Sequence, residues 1–323
     1  MGRISRWGLR VIDFHAHFPV PDPYLADWEA RYAARFGAHK LERLRRDARW
    51  YQERWWRAYA FPFPEEPPAP PEVQAARWAA EVDRYGLERV VFLTGGGNDM
   101  LATIVRRYPD RFIGFAHHDP FRPDAAQELY RAVRELGLRG YKILAPALRG
   151  PINDPALDPV WQACEALGIP VLIHFGVLGG GGGIAYHENI NPLVLHDVAK
   201  GFPDVPFIIP HFGCGYPREL LHLCWACRNV YVDTSGNNEW VRWMPYELTL
   251  KDLFRRFVET IGPERILFGS DSEWFPRGFA VRYLEDQLRI CYEIGLREED
   301  IQKIFADNAA RLLGLEGGSS SQI

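Results

Sequence analysis

At 323 residues, 47% hydrophobic and 25% charged, the chain has enough material for a sizeable buried core, in one large α/β domain or two smaller ones. Its net charge of −4 excludes a strong general pull toward nucleic acid or an anionic membrane. No apolar run approaches the roughly 18 residues that span a bilayer, and the opening MGRISRWGLR lacks the long apolar segment of a signal peptide.

Eight short β-type runs follow one another, most of them trailed by a helical pattern: RVIDFHAH (10–17), ERVVFLT (88–94), RFIGFAHH (111–118), RGYKILAP (139–146), IPVLIHFG (169–176), VPFIIPHFG (205–213), NVYVDTSG (229–236) and RILFGSDS (265–272). They are apolar almost throughout rather than alternating, as expected of parallel strands covered on both faces. The stretches 124–138, 156–168 and 250–262 are amphipathic, and the last two end on Gly, a common helix stop. Eight strand–helix units predict an α/β fold of the (β/α)8 TIM-barrel type over 1–316; a doubly wound open sheet is the runner-up.

Residues 19–71 break the rhythm. Tyr24–Tyr59 reads as helical, and FPFPEEPPAPP (61–71) then interrupts regular structure, so the whole reads as an insertion after the first strand. Nine Lys/Arg stand against five Asp/Glu in 24–58, but an amphipathic lid or an oligomer contact, such as that of a homodimer, fits better than a nucleic-acid surface. The 11 Trp need a deep core or an apolar cleft, and 317–323 reads as a disordered tail. An odd count of five Cys suits reduced thiols in a cytoplasm, with Cys224 and Cys227 (CWAC) on a helix packing inward.

In such a barrel the chemistry gathers at the C-terminal strand ends. Five of the ten histidines stand there: His15, His17, His118, His174 and His211. Lys142 and Asp271 occupy the same position on runs four and eight. Imidazoles with a carboxylate suit one divalent ion, with Zn²⁺ first and Mn²⁺ or Fe²⁺ behind it. His15 and His17, two apart on one strand, share a face; His174 can close the site from across the ring, and Asp271 can be a fourth ligand or a base. The intervening Ala16 is expected to face the outer packing. His117 also ends the third run, and His118 reads more readily as a loop contact than as a ligand.

The stretches VIDFHAHF, RGYKILAP, IPVLIHFG, PHFGCGYP, NVYVDTSG, ILFGSDSEW and IFADNAARLLGL together resemble the amidohydrolase superfamily, most closely its amidohydrolase-2 branch. That branch includes aminocarboxymuconate-semialdehyde decarboxylase, aromatic-acid decarboxylases and hydrolases of ring-cleavage products. The resemblance implies one metal held by His15, His17, His174 and Asp271, with His211 and Asp271 as acid/base groups. Many aromatic-acid decarboxylases of the branch carry Glu at the first position, where this chain has His15. For Lys142 it leaves three readings: carbamylation, a contact to a substrate carboxylate, or a structural ion pair. The loop 178–189 reads equally as a gate, with Tyr186 and His187 reaching a substrate, or as an ordinary flexible loop. Trp274 is a candidate wall of an apolar pocket.

The expected activity is metal-assisted hydrolysis of a small carboxylated aromatic or ring-cleavage-type substrate. A non-oxidative carboxy-lyase using the same residues is the alternative, and a non-catalytic binding protein comes third. The expected partner is a small molecule, not nucleic acid or membrane.

Overall fold

The structure, a computed structural model, describes residues 3–178 and 187–315. Tyr186, the side chains of 24–28 and His187, and the 317–323 tail lie outside the described residues. The strands are β1 (Ile12–His17), β2 (Arg89–Thr94), β3 (Phe112–Gly114), β4 (Ala116–His117), β5 (Tyr141–Leu144), β6 (Val171–His174), β7 (Phe207–Ile209), β8 (Val230–Asp233) and β9 (Ile266–Leu267). All pair in parallel, in the orders β1-β2-β3 and β4-β5-β6-β7-β8-β9.

The third predicted run is thus two pieces. Phe115 N donates back to Phe92 O at 2.9 Å, whereas Ala116 N donates forward to Gly140 O at 2.8 Å, so the ladder continues through the break. The ring is an eight-position (β/α)8 barrel. Gly140 is required beside the break, because a Cβ there would stand 2.4 Å from the Phe115 ring.

Strand alternation sorts the side chains into two apolar layers. Val11, Val90, Phe92, Ile143, Ile173 and Val232 face the helices, and Ile12, Phe14, Val91, Ile113, Phe115, Leu172, Ile208 and Leu267 fill the interior. Ala306, Ala309, Ala310 and Leu313 pack beneath that interior. Full burial of each large apolar chain contributes about 1.5–3 kcal/mol, so both layers favour the closed ring.

Helices alternate with the strands as the amphipathic stretches predict. The stretch 124–138 yields a shorter helix, Ala125–Arg134. The stretch 156–168 yields Asp158–Leu167, capped by Gly168 with φ 62°, where L side chains are strained. Leu250–Ile261 opens with a capping box between Thr249 and Asp252.

Between β1 and the barrel helix Pro71–Tyr85 stand two further helices, α1 (Pro23–Phe36) and α2 (Ala38–Ala58). Only Leu41 and Trp56 of α2 are buried. Trp78 and Trp161 are fully buried, but Trp50, Trp225 and Trp243 are exposed, so the core accounts for only part of the tryptophan. Cys224 and Cys227 are buried as expected, while Trp225 between them points to solvent. No described helix is long and apolar enough to cross a membrane.

Two features of β1 decide what its end presents. Asp13 pairs with Val90 and Ala16 with Phe92, so β1 carries one residue more than β2 between these partners. This bulge shifts the phase of the strand. Ile12 and Phe14 face the interior; unbroken alternation would turn His15 and His17 out to the helices. With the extra residue, Ala16 joins the outer layer and both histidines turn to the barrel mouth.

The second feature is the seam with the last strand. Phe14 N donates to Phe268 O, Asp271 N to His15 O and His17 N to Ser272 O, at 3.0, 2.8 and 2.8 Å. The buried Asp13 carboxylate accepts from Ser270 N at 2.8 Å and Ser270 Oγ at 2.5 Å. Burial pushes the Asp13 carboxyl up to about 7, against those bonds.

Candidate metal centre

His15 Nε2, His17 Nε2 and Asp271 Oδ1 form a triangle with sides of 3.3, 3.4 and 3.5 Å. Ligand atoms about 2.0–2.2 Å from a first-row divalent ion lie at about that spacing from one another. The donor atoms therefore fit such an ion.

Each imidazole is oriented from behind. His15 Nδ1 faces Asp233 Oδ2 at 2.5 Å and Ser235 Oγ at 3.1 Å. Burial pushes His15 down to about 4, although Asp233 pulls it upward, so the ring is neutral near neutral pH. Burial alone would raise Asp233, yet its pairing with His15 holds it below the usual carboxylate range. A neutral ring therefore donates Nδ1–H to a carboxylate and keeps the Nε2 lone pair for a ligand bond. His17 Nδ1 meets Thr94 Oγ1 at 2.7 Å, which orients its Nε2 in the same way. Gly269 makes this crowding feasible, since a Cβ there would lie 2.6 Å from His15 Cβ and 2.8 Å from Asp233 Oδ1.

Asp271 has a positive φ of 54°, an uncommon backbone state that aims its carboxylate across the seam at the histidines. Loss of water would raise its pKa, but the His17 hydrogen bond and the nearby His211 and His15 hold it well below the usual range. It is anionic throughout the ordinary pH range, as a metal ligand must be.

His211 offers a nitrogen within 4.8 Å of ligand atoms of His15 and Asp271. Its Nδ1 lies 3.0 Å from Ser235 O and 3.0 Å from Ser235 Oγ. A carbonyl only accepts, so Nδ1 carries the hydrogen and Nε2 is the free nitrogen. His174 stands one ring further out: its ring centre is 5.1 Å from that of His211, and its Nε2 meets Val177 O at 3.2 Å. The structure thus gathers His15, His17, Asp271 and His211 tightly, with His174 beside them rather than in the triangle. Burial, then His211 and Lys142, hold His174 well below its usual pKa.

Lys142 is 1% exposed, and burial pushes its ammonium down to about 8 while Asp271 and Asp233 support the charge. Among the described residues it makes no ion pair within 4.0 Å, so the structural ion-pair reading finds no partner. His118 is a packing residue, its Nε2 on Ala125 O at 3.1 Å and its ring 4.8 Å from Tyr141. His117 donates Nδ1–H to Lys142 O at 2.9 Å. Trp274 Nε1 donates to Pro62 O, and its ring packs against Trp55, Trp56 and Phe61. It joins the loop after β9 to the 19–71 segment. Tyr186 and the His187 side chain lie outside the described residues.

Asp233, Ser235 and Thr94 carry no expectation from the sequence, although each ends a strand run or follows one directly, the placement that singles out Asp271. Replacing Asp233 with Asn is expected to weaken divalent-ion affinity about 10- to 100-fold with the fold retained, measured by competition against a chromophoric chelator. Unchanged affinity would remove Asp233 from the centre.

The fold and the site define a TIM-barrel enzyme with a metal-type donor cluster at the barrel mouth. The chain belongs to the amidohydrolase family, whose sequence profile matches residues 12–315. It is 26% identical over 278 residues to a gamma-resorcylate decarboxylase of Rhodococcus jostii, covering 71% of this chain and 78% of that protein. A shorter match, 35% over 98 residues, joins it to a 2-amino-3-carboxymuconate-6-semialdehyde decarboxylase of Dictyostelium discoideum, covering 30% and 26% of the two chains. Among solved structures, a 5-carboxyvanillate decarboxylase from Sphingomonas paucimobilis superposes with TM-score 0.63 at 19% identity, covering 95% of this chain and 99% of that one. A dihydroxybenzoic acid decarboxylase from Polaromonas, solved with bound manganese and 2-nitroresorcinol, gives 0.61 at 19%, with 96% and 98% covered. At these identities the structural likeness carries the fold.

Proposed function

We propose that this enzyme is a divalent-metal-dependent carboxy-lyase that removes a carboxyl group without oxidation from a small phenolic or similarly unsaturated acid. The observation that carries this reading is the likeness over most of both chains to a decarboxylase. Hydrolysis, ranked first on sequence alone, gives way to its alternative, because the gamma-resorcylate and 2-amino-3-carboxymuconate-6-semialdehyde relatives described above are named for decarboxylation. Hydrolysis stays second on one observation, His15 where many aromatic-acid decarboxylases carry Glu.

In this proposal His15, His17, His174 and Asp271 hold the ion. Manganese is the first to test, since it is the ion in the Polaromonas structure; zinc and iron follow, as a mixed imidazole–carboxylate set suits all three. When bound, the ion supplies positive charge against the electron density that builds on substrate oxygens during the reaction.

The remaining chemistry falls to side chains of this chain. Breaking the C–C bond releases CO₂ and leaves the bonding pair on carbon, which must take a proton. His211 is the donor: with Nδ1 committed to Ser235, Nε2 is the atom that holds and releases it. Asp271, held ionised, is a poor proton donor and supports the positive charge on His211 instead. Lys142, a buried cation without an ion-pair partner among the described residues, is placed to meet a substrate carboxylate or phenolate.

Metal-loaded protein incubated with 2,6-dihydroxybenzoate and with 5-carboxyvanillate is expected to give CO₂ and the decarboxylated phenol in equal amounts. Trapped CO₂ and chromatography of the products measure this. Cleavage of esters or amides with no CO₂ from any acid would restore the hydrolase reading.

A further inference from the structure

The loop after β9 carries a cation that the chemistry above does not use. Arg277, six residues beyond Asp271, is enclosed by aromatic rings: its guanidinium carbon lies 4.4 Å from the Phe61 ring centre, 4.6 Å from Trp274 and 5.3 Å from Tyr283. Rings over the face of a guanidinium stabilise its charge but leave its N–H donors unmade, because those point outward in the plane of the group. Among the described residues its one acceptor is Asp271 O, at a long 3.4 Å from Nη1. Its Nε is buried with no hydrogen-bond partner, and among the described residues Arg277 makes no ion pair within 4.0 Å. The Tyr283 hydroxyl, on a ring that covers the guanidinium, is also buried without a partner. Buried donors without acceptors are rare and costly, and two in one aromatic enclosure next to the candidate ligand Asp271 ask for a ligand that accepts.

We infer that Arg277 and Tyr283 form an anion subsite beside the metal centre, and that the substrate is an aromatic acid bearing a second anionic oxygen group, which this subsite holds. The inference rests on the carboxy-lyase reading for the first carboxylate and adds the second. Arg277 presents in-plane donors that match a carboxylate edge, and Tyr283 adds one O–H. The group held here is not the one lost; it fixes the ring so that the departing carboxylate lies at the metal.

Calorimetric titration of the manganese-loaded protein with isophthalate and with benzoate tests this directly. Isophthalate is expected to bind about ten- to a hundredfold more tightly than benzoate, the range of one hydrogen bond to a charged group. Arg277→Gln should bring that ratio close to one while leaving benzoate affinity unchanged. Tyr283→Phe, which keeps the ring over the guanidinium, should lower isophthalate affinity about three- to tenfold. A melting temperature near that of wild type shows that loss of the arginine has not released Phe61. Equal binding of the two acids by wild type, or a ratio unchanged in either variant, overturns the subsite. Binding is read without turnover, so a subsite that holds while no acid is decarboxylated would count against the carboxy-lyase reading alone.

Discussion

His17→Ala is expected to lose the divalent ion. His17 closes two sides of the ligand triangle, 3.3 Å to His15 Nε2 and 3.4 Å to Asp271 Oδ1, and its side chain is 21% exposed, so its removal leaves the core intact. Even outer-shell partners of a metal typically cost 10- to 100-fold in affinity, so a lost ligand should cost more than about 100-fold, or about 2.7 kcal/mol. Elemental analysis after dialysis against a weak chelator should find wild type loaded and the variant empty. Turnover should fall with occupancy. Metal retained at wild-type level would show that the ion is held elsewhere.

His211→Ala should behave in the opposite way, keeping the ion and losing the reaction. Its Nδ1 is fixed by Ser235, not by a ligand-type neighbour, and the triangle stands without it. Removal of a positioned proton donor costs about 10²- to 10⁴-fold in kcat. Metal content should stay within about threefold of wild type, since none of the side chains proposed to hold the ion is removed. The variant's residual rate should respond to small added acids such as imidazole, which can replace a missing proton carrier. Full activity would assign the proton to another group; a lost ion would make His211 a ligand. The two variants separate holding the ion from using it.

Much of this centre is legible in the sequence because parallel strands buried on both faces read as unbroken apolar runs, and a polar residue at the end of such a run stands out. That logic finds His15, His17, His174, His211, Lys142 and Asp271. It brings in His118 too, which the structure spends on Ala125 O and the Tyr141 ring. It missed Asp233, although the run VYVD ends on it, because its role lies behind His15 and shows only when two strands distant in sequence come together. Periodicity could not supply the bulge either, since an extra residue in β1 leaves no mark in an apolar stretch. Spacing put His15 and His17 on one face; the bulge makes that face the barrel mouth. Arg277 was invisible for another reason: its importance lies in the partners it lacks, which no sequence pattern records.

The seam gives the ion a second consequence. The bond from Asp271 N to His15 O joins the chain's first strand to its last, and the side chains of those same two residues supply candidate donor atoms. A divalent ion there would act as a clasp at the point where the ring shuts. A nascent chain holds only half of that clasp until nearly all of it has been made, so ion capture belongs to the final stage of folding. Since the ion favours only the shut ring, its free concentration sets how firmly the first and last strands stay together. Scarcity of metal would then be felt as loss of protein as well as loss of activity.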